Sequence, residues 1–228
     1  MNQENQKELA ALKALDFVTN GMRLGIGTGS TTAYFIKALK EKAHKEKWQL
    51  FAAYSSEKSK ILGTCPEIAL LDDKLDGPLD LYIDGADEID PQFCMIKGGG
   101  KALLREKIVA TASRQGMIVI IDESKLSNQL GRHPLPVEII PFGYKSTIER
   151  ITKEGFFGTL RIGNDKEPEK TDNGNYLFDL SFKTPIQEPE KVHTLLKSLL
   201  GVVETGLFFN LAKKVIVGRK DGTVEIYG

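Results

Sequence analysis

The chain has 228 residues, long for one average domain and short for two, which points to one large domain carrying a smaller unit. A hydrophobic fraction of 41% and a charged fraction of 27% belong to a folded globular protein and exclude a disordered one. Basic and acidic residues both number 31, so no net field gathers nucleic acid or an anionic membrane, and any anion must be bound by a local site.

The first residues, Met1-Asn-Gln-Glu-Asn-Gln-Lys7, lack the basic start and apolar core of a signal peptide, and no apolar run is long enough to cross a bilayer. The cytoplasm is the expected location. Leu9, Leu12, Leu15 and Val18 recur at three-residue steps, which predicts an amphipathic helix over residues 4–18, ended by Asn20-Gly21 and carrying Lys7 in its first turns. A short strand is expected over residues 23–27. The small residues after it lead into a helix bearing Ala33, Phe35, Ile36 and Leu39. Further strands are expected over residues 49–53, 68–71 and 79–83, the last ending on Asp84. A helix over 101–113 then precedes the apolar run 117–121, which ends in Asp122. Strands alternating with helices imply an α/β, doubly wound sheet, whose ligands bind at the carboxyl ends of strands, where Thr28, Asp84 and Asp122 fall.

Gly131-Arg-His-Pro-Leu-Pro136 interrupts this rhythm, because two prolines and a glycine are unsuited to a helix or a central strand. A boundary is expected there, giving a larger domain from residues 1–133 and 206–228 and a smaller one from 134–205. The smaller part reads as strands 137–140, 158–162, 176–182 and 202–205 with helices 146–154 and 188–200, an α+β arrangement with antiparallel pairing. Its loop 164–175 reads as a solvated connection between paired strands. Strands 213–217 and 223–227 are expected to return to the larger domain. Cys65 and Cys94 are too few for a disulfide framework and lack zinc-site spacing, so both read as free thiols.

Gly25-Ile-Gly-Thr-Gly-Ser-Thr31 is neither a Walker A loop, which needs a Gly-Lys-Ser/Thr ending, nor a dinucleotide fingerprint, since Ser30 stands where the third glycine belongs. Two readings stay open: an anion site at a helix N-terminus, taking phosphate or carboxylate, or a tight turn with a serine N-cap. Asp84-Gly-Ala-Asp-Glu88 crowds three carboxylates behind a strand, which suits proton transfer or a divalent metal; an acidic turn capping a helix is the alternative. Lys97-Gly98-Gly99-Gly100 sets an ammonium beside a flexible backbone, where a close approach to a ligand and stabilisation of an oxyanion are both chemically sensible. On a helix advancing about 100° per residue, Glu106 shares its face with Ala102, Leu103, Val109, Ala110 and Ser113. Loss of hydration there would raise its pKa toward that of a general base, unless the face is only loosely defined. Lys125 follows a strand end and suits an anion in the same crevice. His44, His133 and His193 share no spacing that supports a metal site or a triad.

Taken in order, Gly27-Thr-Gly-Ser-Thr31, Asp84-Gly-Ala-Asp-Glu88, Lys97-Gly-Gly-Gly100, Arg105-Glu-Lys107, Pro134-Leu-Pro-Val-Glu138 and Thr205-Gly-Leu-Phe208 resemble the type A ribose-5-phosphate isomerase family over nearly the whole chain. The resemblance implies a Rossmann-like doubly wound sheet domain with a smaller ferredoxin-like α+β domain. It further implies interconversion of ribose 5-phosphate and ribulose 5-phosphate, no metal and no organic cofactor, and a homodimer or homotetramer. By the same resemblance, Glu106 corresponds to the general base, and Asp84 and Asp87 to the carboxylates that assist ring opening and hydroxyl proton movement. Lys97 with the amides of Gly98, Gly99 and Gly100 corresponds to the group that holds the enediolate oxygen. Lys7, Thr28, Gly29, Ser30, Thr31, Gly85, Ala86 and Lys125 correspond to substrate and phosphate contacts. Lys101 departs from the pattern, standing where the family usually has a small residue, and is expected to face solvent.

Two rival classes are weighed against this. A non-catalytic sugar-phosphate sensor has no use for Glu106 and usually carries a DNA-binding segment, for which the stretch before the first strand is too short. A sugar-phosphate deaminase or acyl-transfer enzyme would be exposed by amine release or by thioester turnover.

Overall fold

A computed structural model describes residues 1–71 and 75–228. In chain order its strands are β1 (Arg23–Ile26), β2 (Leu50–Tyr54), β3 (Ile68–Leu70), β4 (Leu81–Asp84), β5 (Glu88–Ile89), β6 (Met95–Ile96) and β7 (Met117–Asp122). They continue as β8 (Leu135–Ile139), β9 (Gly158–Leu160), β10 (Tyr176–Leu180), β11 (Val202–Thr205), β12 (Leu207–Phe208), β13 (Ala212–Gly218) and β14 (Val224–Tyr227). The helices are α1 (Gln3–Ala14), α2 (Ser30–Glu46), α3 (Glu57–Gly63), α4 (Leu103–Thr111), α5 (Tyr144–Lys153) and α6 (Pro189–Ser198). Contacts group the chain into two units, one of residues 1–86, 105–125 and 210–228, the other of residues 87–104 and 126–209. Residues 87–104 and 126–133 fall with the second unit because β5 and β6 pair with each other and with β12, and Leu126 bridges to Ile89.

The first unit is built on a seven-stranded sheet in the order β14-β13-β7-β4-β1-β2-β3, parallel except for the terminal hairpin strand β14. The apolar runs expected to be buried are buried: all six residues of β7 and all four of β4. Alternation along the strands sorts their side chains. Leu24, Ile26, Leu81, Ile83, Ile118 and Ile120 share one core with Ala10 and Ala14 of α1 and Phe35, Ile36 and Leu39 of α2. Gly25, Tyr82 and Asp84 occupy the alternate positions, and the absence of a side chain at Gly25 leaves room for Val109 of α4 and for Tyr82. The strand order reverses between β1 and β4, so their carboxyl ends flank the crevice where ligands of such sheets bind.

Two expectations need correction here. The N-terminal helix stops at Ala14, with a 3-10 turn over Leu15–Phe17, and it buries Ala10, Ala11 and Ala14 while Leu12 is 46% exposed. Steps of three residues fall short of the 3.6-residue turn, so Leu12 leaves the packed face, while Leu15 and Val18 rejoin the core after the helix ends. Helix α3 lies between β2 and β3 where the sequence reading placed no element.

The second unit carries a four-stranded antiparallel sheet, β11-β8-β10-β9, a three-stranded sheet, β12-β6-β5, and helices α5 and α6. Its core joins Leu135, Val137, Ile139, Phe178, Leu180, Ile151 and Leu196. Pro136 was expected to exclude a central strand, yet it sits in β8 opposite Asp179, with β11 on the other side. The reason is position. Its carbonyl accepts from Gly206 N at 2.7 Å, so its ring nitrogen faces the same side, past the end of β11 where no ladder donor is required. The loop expected to be merely solvated is also partly anchored: Thr171 Oγ1 and Asn175 Nδ2 both donate to the buried Glu138 at 2.9 Å.

Candidate active site

Within the first unit, the turn after β1 is laid against the end of β4. Gly27 has no room for a side chain, since a Cβ would stand 1.8 Å from Cγ of Asp84. The backbone N–H of Thr28 donates to Asp84 Oδ1 at 3.0 Å, the Thr32 hydroxyl at 3.1 Å and the Gly85 N–H at 2.7 Å. Tyr82, two residues earlier on the same strand face, donates its hydroxyl to Asp84 Oδ2 at 2.5 Å. Asp84 is fully buried, so these donors replace the water it gave up.

The helix cap bears on the second reading of the glycine turn, the one with a serine N-cap. Gly29, with φ 137°, is the N-cap of α2 and supplies no side-chain cap; Ser30 is the first helical residue. First-turn amides have no intrahelical acceptor, and no side chain caps this helix, so the serine N-cap reading does not hold. Thr28 Oγ1 meets Ser55, Ser56 and Ser59 hydroxyls at 2.8, 2.8 and 3.0 Å. These serines were missed, although Ser55-Ser56 follows the carboxyl end of β2 by the same strand-end rule that singled out Thr28.

Glu106 lies in the first turn of α4 and is 1% exposed. The residues expected to share its face, Ala102, Leu103, Val109, Ala110 and Ser113, are all buried, whereas Ile108 and Thr111 are exposed. Burial lifts the Tyr82 phenol well above its ordinary range, and the charges of Asp84 and Glu106 push it further the same way. Tyr82 therefore stands within the fields of both carboxylates. Lys7 is nearly buried, and its ammonium pairs with Glu4 at 2.7 Å; that contact first, and the Tyr34 hydroxyl second, hold the Glu4 carboxyl below its usual range. Lys125 ends a 3-10 turn, Glu123–Lys125, next to Asp122, which is buried and held by Gln3 and Ser124.

Within the second unit, Asp87 Oδ2 accepts the Gly99 N–H at 2.7 Å, and a Cβ on Gly99 would press on that carboxylate at 2.8 Å. Lys97 is 2% exposed, its N–H bonded to Gly206 O at 2.8 Å and its ammonium 5.6 Å from the Phe208 ring centroid. Glu88, third of the crowded carboxylates, is fully buried and accepts the N–H groups of Gly131, Arg132 and His133 at 3.1, 3.3 and 2.9 Å. The acidic motif is thus divided by hydrogen bonding. Its last carboxylate organises a loop. Lys101 has φ 67°, and its side chain, 41% exposed to solvent, also pairs with Glu169 at 2.9 Å. Among the described residues, no group of three His, Cys, Asp or Glu side chains is arranged to hold a metal ion. No helix of the described residues is long and apolar enough to cross a membrane.

A Rossmann-like doubly wound unit with buried carboxylates and a helix N-terminal turn at its strand ends, joined to a ferredoxin-like α+β unit, defines the class as a bidomain α/β enzyme. Residues 52–222 match the family ribose 5-phosphate isomerase A (phosphoriboisomerase A). Ribose-5-phosphate isomerase A of Protochlamydia amoebophila is 49% identical over 96% of this chain and 94% of its own. That of Bacillus mycoides is 46% identical over 97% and 99%. The solved ribose 5-phosphate isomerase of Plasmodium falciparum superposes with a TM-score of 0.90 at 36% identity, covering 99% of this chain and 98% of its own. A D-ribose-5-phosphate isomerase solved in complex with phospho-erythronic acid gives 0.93 at 38% identity, covering 100% and 99%. This chain belongs to the ribose 5-phosphate isomerase A family.

Proposed function

We propose that this chain interconverts ribose 5-phosphate and ribulose 5-phosphate through an enediolate, with Glu106 as the base that moves a proton between sugar carbons 1 and 2. Family membership supports the reaction. The observation that carries the role is a carboxylate 1% exposed on a mostly apolar helix face. Hydrogen beside a carbonyl is weakly acidic, so the reaction needs a positioned base and a group that holds the resulting oxyanion. Glu106 takes the proton from C2 of the open-chain aldose and returns it to C1, while a hydroxyl proton passes from O2 to O1. Atoms and charge balance with no external oxidant.

Lys97 and the turn of Gly98, Gly99 and Gly100 hold the enediolate oxygen in this reading; Asp84 and Asp87 assist ring opening and hydroxyl proton movement. Thr28, Gly29, Ser30 and Thr31 take the phosphate at the N-terminus of α2, with Lys7 and Lys125 as neighbouring cations and Gly85 and Ala86 lining the sugar. A positioned base supplies about 10²–10⁴-fold and an oxyanion donor about 10²–10³-fold. The reading extends to a cytoplasmic homodimer or homotetramer, distinguished by sedimentation equilibrium. Incubating the purified protein with ribose 5-phosphate, with and without a chelator, tests the function: ketose forms in both arms. Absence of ketose refutes it, and chelator-sensitive activity refutes the metal-free mechanism.

A further inference from the structure

We propose that Arg161 is a positioning residue for the glycine turn, setting which way the central peptide of that turn faces; this rests on the reading of the turn as the oxyanion group. Arg161 follows β9, and its Nε and Nη2 donate to Asp179 Oδ2 and Oδ1 at 2.8 and 2.6 Å. Its Nη1 carries two further N–H bonds, and these reach the consecutive carbonyl oxygens of Gly98 at 3.2 Å and Gly99 at 3.3 Å. Asp179 thus fixes one side of the guanidinium fork, and the far corner grips the turn.

That grip has a stereochemical consequence. The Lys101 N–H donates to Gly98 O at 3.1 Å, closing a four-residue turn with Gly99 and Gly100 at its centre. Turns of types I and II differ chiefly by a flip of the central peptide, and glycine at both central positions is at home in either. The local sequence therefore leaves the direction of the Gly99–Gly100 peptide undecided. In a trans peptide the C=O and N–H point oppositely, so holding Gly99 O toward Arg161 turns the Gly100 N–H away from it. The preceding peptide is pinned at both ends, by Arg161 on Gly98 O and by Asp87 on the Gly99 N–H. Lysine cannot copy this, because only a planar fork spans a carboxylate and two carbonyls at once.

The test is steady-state kinetics on Arg161→Lys and Arg161→Ala beside Glu106→Gln. A donor that matters only in the transition state changes kcat rather than substrate binding, so Arg161→Lys is expected to lose about tenfold or more in kcat with KM changed by less than about threefold. A phosphorylated sugar acid whose carboxylate mimics the enediolate binds more weakly by the same factor by which kcat/KM falls. Millimolar guanidinium ion restores part of the kcat of Arg161→Ala, and ammonium ion does not. Should Arg161→Ala fail to fold, Arg161→Lys and Asp179→Asn, checked by circular dichroism, carry the test with the same split. A kcat for Arg161→Lys within about twofold of wild type, or a loss confined to KM, overturns the proposal. Near-normal turnover in Glu106→Gln overturns instead the reading on which it rests.

Discussion

The hydroxyl of Tyr82 and the carboxylate of Asp84, two residues apart on β4, are joined by a 2.5 Å hydrogen bond inside the first unit. Both side chains are fully buried, and no local rule demands their pairing. Strand alternation puts them on one face; the β1 turn then closes over the carboxylate with its own donors. Tyr82→Phe keeps the ring and removes only the donor. Hydrogen bonds to buried charged groups contribute about 1.5–3 kcal/mol, so thermal or urea unfolding should show a loss of that order. Turnover should fall as well, because Asp84 loses the partner that fixes its Oδ2; unchanged kcat in a destabilised variant would make Tyr82 purely structural.

Glu106→Gln is expected to lose about 10²–10⁴-fold in turnover while ribose 5-phosphate still binds. The amide is nearly isosteric and loses only the ability to take the proton. Isothermal titration beside a ketose assay separates the two quantities. Near-normal turnover would remove Glu106 from the role of base.

Gly27 and Gly29 make a matched pair. A Cβ at Gly27 would collide with Asp84, so Gly27→Ala must displace the carboxylate or the turn and is expected to cost about 1–3 kcal/mol and most activity. A Cβ at Gly29 meets nothing within 4 Å, and the penalty there is backbone strain at φ 137°, of order 1–3 kcal/mol. Unfolding curves and turnover measured on both variants test the contrast. Stability should fall by a similar amount in both, and loss of turnover should be the greater at Gly27, where the Asp84 carboxylate is displaced.

Glu88→Gln should act on stability before chemistry. Its carboxylate gathers three backbone N–H groups of residues 131–133, and an amide offers one oxygen where two accept now. A loss of about 1–3 kcal/mol is expected, with kcat/KM near wild type at temperatures where the variant stays folded. Abolished catalysis in the folded variant would contradict the loop-organising role.

Cys94 offers a pH-dependent check that needs no substrate. Burial first, then the charges of Asp90 and Glu190, push its thiol up to about 11 from an ordinary 9.0. Because the thiolate is the reactive form, its alkylation near pH 8 should run roughly a hundredfold slower than that of an unperturbed thiol, and should accelerate up to about pH 11. The sign for stability follows: a group with a raised folded pKa supports the fold fully below its unfolded pKa, and that support fades as pH climbs above about 9. Mass-spectrometric labelling rates at several pH values, read at Cys94, check this directly.

What the amino-acid order determined by itself was periodic. The runs of β4 and β7 announced buried strands, and the face of α4 that carries Glu106 is the one projected from helical geometry. Such features depend on neighbours within a turn or two, so they survive whatever the rest of the chain does. The leucine series of the first helix failed at one position: Leu12 is exposed because the helical face packed on the sheet and on α2 holds Ala10, Ala11 and Ala14, with Leu15 and Val18 joining that core after the helix ends. Two-residue strands β5, β6 and β12 carry no period at all and exist only through their pairing. The tertiary structure alone decided the partners: Tyr82 for Asp84, three serines for Thr28, the 131–133 amides for Glu88, and Arg161 for the glycine turn. Hydrogen-bond partnerships of buried polar groups are settled by which chain segments topology brings together, and no local pattern encodes that meeting.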